Sequence, residues 1–595
     1  MENKQVTSSL FPAIYVSLYA IQLSVYNIMK QRSFVHFLAV TLIALIFISI
    51  SGCNSLSSQS PLPIGNSSLA SAPGAAIFVS RQAPVMVSML MNPERLSLGN
   101  TAIDLEKLKT GFLANTGLNY KEDIQPWLGE EITLAVTTLD IDRDPENGKQ
   151  LGYLIALATN EPAHSRQFVE LFFSKKAIAG ANILSELYKG VKVIYDNSHP
   201  ETGLLSGAAV GDKFVLFAND PKVLRDAINN VQAAELNLSS DSKYQQATKQ
   251  IPSRAAVVAF LNLPKVGKWQ GLNLENATYD NQILALVLNP QGLLAETTFL
   301  AASDQETLPP PASLSDATGV LQYIPDTAGV VISGLNLSNL SNTNLAQLWT
   351  EIVTAISASQ NQVSVLSLQS FTDLEKRWGI NLADDIFSWV KGEYAIGFLP
   401  RRQQENPDWI FITEKTADAS VGISHLDNIA ASQGFSINSL NLGEQKLAAW
   451  TELTTSSKKS SKAARDESIT LTAKVRGLHT TLGKYEVFSN SIEAINQVLK
   501  AQENSLANNR NFQNSIAAIP QDNHGYVYVD WINSQDILQQ QLPILKLLKL
   551  VGKPFFTNLG SLTISSYDSE PNLLKAAVFV KFDSSRSVEK IKGNT

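Results

Sequence analysis

The sequence predicts an α+β protein made of two tandem copies of a mostly antiparallel sheet unit with packed helices. Three observations predict it. Four segments recur in the same order in the two halves of the chain. The apolar runs are short and rich in β-branched and aromatic residues, as strands require. Amphipathic helices are few, so strands and helices do not alternate in strict βαβ fashion.

The repeat is clearest at GLNYKEDIQPWLGEE, which aligns without gaps on GINLADDIFSWVKGE. Gly117, Asn119, Asp123, Ile124, Trp127 and Glu131 match Gly379, Asn381, Asp385, Ile386, Trp389 and Glu393. Downstream, VGDKFVLFAN from Val210 pairs with LGKYEVFSN from Leu482, and YQQATKQIP from Tyr244 with FQNSIAAIP from Phe512. Upstream, FVSRQAPVMVS from Phe78 pairs with YIPDTAGVVIS from Tyr323. Collinear matches of this kind place the units at residues 75–301 and 319–583.

Before the first unit, residues 1–28 are mixed in character and read as an extension ahead of the true start at Met29, the alternative being a weak first membrane segment with the lipobox behind it. Lys30 and Arg32 then precede an unbroken apolar core, Phe37 to Ile48, which Ile50, Ser51, Gly52 and Cys53 close. Residues 29–52 resemble a bacterial lipoprotein signal peptide with its lipobox. The resemblance implies that Cys53 is diacylated, becomes the mature N-terminus and anchors the chain to a membrane. The alternative is an uncleaved membrane helix over residues 34–50, about 17 residues being the short end of a bilayer span. Two acyl chains, at about 0.8 kcal/mol per buried methylene, hold a protein on a bilayer where one does not. Residues 53–74 are rich in Ser, Pro and Gly, the composition of a flexible tether.

Within the units, PVMVSML, EITLAVTTL, GYLIALA, KVIYD, KFVLFA, AAVVAFLNL, ILALVLN and LLAETTFLA read as strands. The last two form a hairpin candidate around Asn289 to Gly292. Asp220 and Pro221 open a helix whose Val223, Leu224, Ala227, Ile228 and Val231 share one face. Ser491 opens its counterpart, with Ile492, Ile495, Val498 and Leu499. Residues 302–318, with Pro309 to Pro311 in series, suit a stiff linker, and residues 584–595 are a tail.

The matched joint residues have a bland reading. Gly117 and Gly379 suit helix C-caps, Asp123 and Asp385 the N-cap of the next short helix. Trp127 and Trp389 would each bury about 150–250 Å². The sharper alternative is a sugar-stacking site made by each Trp with its nearby carboxylates.

Composition narrows the function. One cysteine among 595 residues excludes an intramolecular disulfide and a multi-thiolate zinc site. Removal of residues 1–52 takes away Glu2, Lys4, Lys30 and Arg32 and leaves 44 basic against 53 acidic groups, a net of −9. That balance argues against a nucleic-acid partner.

Several near-motifs fail on spacing. GLHTTLGK from Gly477 has five residues between its glycines and Tyr485 after its lysine, so it reads as a turn between strands rather than a phosphate loop. Asp140, Asp142 and Asp144 start like a calcium loop, but Pro145 and Leu151 stand where Gly and Glu belong. The six histidines are scattered without metal-ligand spacing, and no Gly-x-Ser-x-Gly elbow exists. The Ser/Lys-rich stretch TTSSKKSSKAARDES from Thr454 reads as an inserted loop or a docking segment for an acidic partner. No catalytic residue, metal site or cofactor is nominated.

The lipobox, AAIFVSRQAPVMVSMLMNPERL from Ala75, the WLGEE joint and GDKFVLFANDPKVL resemble an uncharacterised domain-of-unknown-function family of exported lipoproteins, found chiefly in cyanobacteria. The resemblance implies an exported protein at the periplasmic or thylakoid-lumen face of a membrane, and carries over no catalytic residues. The leading expectation is a non-enzymatic, membrane-anchored protein that acts in protein interaction or assembly, with a membrane protein as partner. The alternatives are a carrier of lipid or a small apolar ligand, and a hydrolase with a dispersed active site.

Overall fold

The computed structural model describes residues 72–90, 97–98, 101–102, 120–144, 146, 150–198, 204–270, 277–302, 314, 319–338, 380–401, 407–457, 469–535, 537–538, 558–567, 570 and 572–583. The leader, Ile50, Ser51, Gly52, Cys53, Gly117, Gly379, the tail and most of the linker lie outside them.

The first half carries β1 (Val85–Met89), β2 (Ser97–Leu98), β3 (Thr101–Ala102), β4 (Leu128–Thr138), β5 (Gly152–Thr159), β6 (Ile183–Tyr188), β7 (Val191–Asp196), β8 (Ser206–Val210), β9 (Phe214–Ala218), β10 (Ala255–Asn262), β11 (Tyr279–Asn289) and β12 (Gly292–Ala301). The second carries β13 (Val330–Leu335), β14 (Glu393–Leu399), β15 (Asp408–Glu414), β16 (Ser436–Leu442), β17 (Gln445–Ser457), β18 (Ile469–Leu482), β19 (Tyr485–Ser489), β20 (Gly525–Asp530), β21 (Leu559–Tyr567) and β22 (Leu573–Phe582). The helices are α1 (Pro162–Ile178), α2 (Pro221–Gln232), α3 (Ser242–Thr248), α4 (Leu263–Gln270), α5 (Ala417–Ser432), α6 (Ile492–Lys500) and α7 (Arg510–Ile516). The chain is thus α+β and mostly antiparallel. β6 and β8 are strands that the apolar patterns do not mark, because ILSELY alternates weakly and SGAAV is built of small residues.

Apart from the β2–β3 hairpin, the strands form one twenty-stranded sheet rather than two separate tandem units. Across it the order is β6-β7-β8-β9-β5-β4-β1-β10-β11-β12-β22-β21-β20-β13-β14-β15-β19-β18-β17-β16, with every ladder antiparallel. The join is β12 against β22, from Gly292↔Lys581 to Leu300↔Leu573. Each strand is the last of its half, so the ladder supplies partners to backbone groups that would otherwise line two open edges. A Cβ on Gly292 would lie 2.0 Å from the Val580 carbonyl, so only glycine fits that approach. The cores cross the join as well. Leu573 packs into the first-half core with Leu300 and Phe260, and Leu294 into the second-half core with Phe579 and Tyr528.

Helices cover both faces. Along β9, Phe214 and Leu216 join the core that holds α2, while Val215 meets α1 through Phe168, Phe172 and Phe173. Period-two alternation therefore places the two helices on opposite faces. Asp220 caps α2 by accepting from the Lys222 N–H at 2.7 Å, and Ser491 caps α6 by accepting from the Ala494 N–H at 3.1 Å. Val223, Leu224, Ala227 and Ile228 are buried as their spacing predicts, whereas Val231 is 39% exposed. The hairpin expected at Asn289 is present, with Asn289 paired to Gly292 across Pro290 and Gln291. GLHTTLGK is instead the end of a strand: Gly477 to Leu482 belong to β18, and the turn is Gly483-Lys484, with Gly483 at φ 57.

Candidate functional site

The matched joint residues converge on two structures of one design, one in each half. In the first, Tyr120–Ile124 form a single π-helical turn that delivers Trp127 to the start of β4. The Trp127 indole N–H donates to the Asp123 backbone carbonyl at 2.7 Å, and its ring packs 5.0 Å from Phe168 of α1. In the second, Leu382–Ile386 form the same turn, and the Trp389 indole donates to the Asp385 carbonyl at 2.7 Å. The indole N–H satisfies a carbonyl that the end of a one-turn helix leaves open.

Asp123 and Asp385 therefore lie inside the turn, not at the cap of a following helix. The Asp385 carboxylate accepts from the Asn381 backbone N–H at 2.8 Å and lies 2.9 Å from His425 Nε2 of α5. The Asp123 carboxylate lies 3.8 Å from Lys175 Nζ of α1. In both halves the turn is tied to the helix that covers its tryptophan.

Glu131 and Glu393 diverge. The Glu131 carboxylate accepts from the backbone N–H groups of Gly74 and Ala75, both at 2.8 Å, at the start of the 3-10 turn Gly74–Ile77. A carboxylate at a helical N-terminus meets both open donors and the positive end of the peptide dipoles. Glu393 accepts from the Tyr485 hydroxyl, lies 3.7 Å from Lys484 Nζ, and leaves no room for a Cβ on Gly319, which would sit 2.9 Å from both oxygens. Burial raises the Tyr485 hydroxyl far above its ordinary range, and the Glu393 carboxylate adds to the rise. At the position of Tyr485 the first half has Phe214. The ring contacts agree nevertheless: Phe78 and Phe214 meet at 5.2 Å, Tyr323 and Tyr485 at 5.3 Å.

The second half adds a polar contact under α5. Asp427 Oδ1 accepts from the Trp450 indole at 2.7 Å and lies 3.2 Å from His479 Nε2, and the His479 ring stacks on Phe488. Chemically these groups hold helices and strands in register: the carboxylates already face backbone N–H, indole, phenol, imidazole or ammonium donors.

Two residues that do the same work are missed by the alignment of joints. Asn219 accepts from the Tyr153 N–H and donates to the Leu151 carbonyl, each at 2.7 Å. Asn490 accepts from the Trp409 N–H at 2.9 Å and donates to the Pro407 carbonyl. Both end the matched segments VGDKFVLFAN and LGKYEVFSN, which is the signal that could have found them.

In the acidic loop, Asp142 accepts from the Asp144 N–H at 3.0 Å and Asp144 from the Glu146 N–H at 2.9 Å, successive turns closed by side chains. Among the described residues no group of three or more His, Cys, Asp or Glu side chains could hold a metal ion, and no helix is long and apolar enough to cross a membrane.

Comparison with known proteins adds the following. No curated protein matches the chain. The chain is similar to the solved structure described as "Structure of crystal form I of TP0453" at 12% identity and a TM-score of 0.24, covering 40% of this chain and 81% of that one. The structure of crystal form III of TP0453 gives 12% identity and a TM-score of 0.23, covering 40% and 82%. A family model spans residues 38–582, nearly the whole chain, and the chain belongs to that family, described as "Protein of unknown function (DUF3352)".

Proposed function

We propose that the chain is a non-enzymatic lipoprotein, anchored through diacylated Cys53 at the periplasmic or thylakoid-lumen face of a cyanobacterial membrane, where it acts in protein interaction or assembly. The observation that carries this reading is what the matched polar residues do. Glu131 holds the backbone of Gly74 and Ala75, Glu393 the Tyr485 hydroxyl, and Asp123 and Asp385 hold the turns beneath their tryptophans. Residues placed in this way build a broad, rigid sheet, and a rigid sheet on a tether presents surface to a partner.

The two-copy reading of residues 75–301 and 319–583 belongs with this proposal. It is supported by the ladders, which run in the same order outward from the β12–β22 join on both sides. Equal ring geometry supports it too: Tyr244 meets Phe260 at 5.1 Å and 84°, and Phe512 meets Tyr528 at 5.1 Å and 87°.

The test is a pull-down from detergent-solubilised membranes with the chain tagged at its C-terminus. Membrane proteins recovered in stoichiometric amounts are expected. Recovery of the bare polypeptide in clean preparations contradicts the reading.

A further inference from the structure

Among the described residues, β6 and β16 end the sheet, each paired on one side only. A strand end of this kind offers a row of backbone N–H and C=O groups to any extended chain, and proteins commonly guard it with charge, proline or a bulge. The two ends hold the same place in the strand order but are decorated differently. β6 carries Glu186, which Arg225 of α2 grips through two hydrogen bonds of 2.7 and 3.2 Å, and Lys189 follows in the turn. β16 is SINSLNL, and no charged residue stands anywhere between Asp427 and Glu444. Its ladder with β17 runs without a bulge from Ser436↔Thr451 to Leu442↔Gln445, and Ile437 is 43% exposed.

We propose that β16 is the dimerisation edge of this protein, pairing antiparallel with β16 of a second copy across a two-fold axis. The chain already joins its own halves in this way, edge to edge, at β12 and β22. An isologous contact requires a surface compatible with itself. A neutral strand meets that requirement, because its copy brings no like charges into opposition. The register that pairs the whole strand is centred on its middle residue, Ser439, which then faces Ser439 of the second copy. β6 is a poorer choice, since it carries the charged Glu186, held by Arg225 of α2, and charge on an edge strand is one of the guards against pairing. This inference does not depend on the function proposed above.

The test uses the full chain with Cys53→Ser, so that an introduced thiol is the only one. Light scattering is expected to give twice the mass of one chain. Ser439→Cys is expected to yield a disulfide-linked dimer under mild oxidation. Ser439→Lys, which opposes two ammonium groups at the axis, is expected to halve the mass while the circular dichroism stays unchanged; Ser185→Lys on β6 is expected to leave the mass doubled. A single-copy mass for the Cys53→Ser chain at tens of micromolar overturns the proposal, and so does a dimer that survives Ser439→Lys.

Discussion

Tyr485 donates its hydroxyl to the carboxylate of Glu393, although β19 and β14 are not neighbours in the sheet and both flank β15. The bond closes over β15 and positions the Lys484 ammonium between Glu393 and Glu414, 3.7 and 3.6 Å away. A hydrogen bond to a charged partner contributes roughly 1.5–3 kcal/mol. Tyr485→Phe places in the second half the ring that Phe214 supplies in the first, so packing survives and the bond alone is lost. The expected cost is about 1.5–3 kcal/mol, read from urea unfolding.

Glu131→Ala leaves the Gly74 and Ala75 N–H groups without their acceptor. Loss of such a cap costs about 1–2 kcal/mol. The expected signature is local: hydrogen exchange accelerates at residues 74–78 before it changes in β4. Exchange unchanged in that turn would contradict the assignment of Glu131 as its cap.

Gly292→Ala tests the join of the two halves. The added methyl meets the Val580 carbonyl, a backbone atom that cannot rotate away. Overpacking of this kind costs about 1–3 kcal/mol, and here it should also raise exchange along β12 and β22 together. Gly211→Ala provides the comparison, because its Cβ would meet nothing within 4 Å and its cost comes only from φ 60.

Two pH dependences follow from burial. Burial raises the Glu296 carboxyl above its ordinary value, and the Tyr567 hydroxyl, 3.4 Å away, opposes the rise. The folded state therefore binds the proton more tightly than the unfolded state, and this contribution is full at acid pH and lost as pH rises through the folded value. Glu296→Gln should stabilise the protein at neutral pH, with the gain disappearing below about pH 4.5. At the alkaline end, burial pushes the Tyr394 hydroxyl up to about 12 and those of Tyr244, Tyr485 and Tyr528 higher. Unfolded tyrosines ionise near 10, so stability should begin to fall above that pH. Denaturation midpoints across the two ranges check both signs.

The local features of the fold are legible in the sequence because their causes are local. Asp220-Pro221 sets a helix start through one cap and one fixed φ, and Asn289 to Gly292 set a hairpin through a turn. Trp127 and Trp389 signal their joints because few residues of that size recur at one spacing. The β12–β22 ladder is not legible: LLAETTFLA reads as a strand, but nothing in it names LLKAAVFVK, at the far end of the chain, as its partner. The divergence of Glu131 and Glu393 is hidden for the same reason, since Gly74, Gly319 and Tyr485 reach them from distant segments. The proposed lipid anchor rests on the sequence of Ile50 to Cys53, which lie outside the described residues.

Mass spectrometry of the N-terminal peptide from native membranes tests the central claim most directly. The account predicts a mature chain that begins at Cys53 and carries acyl groups on it. Unmodified Cys53 within an intact leader would contradict it.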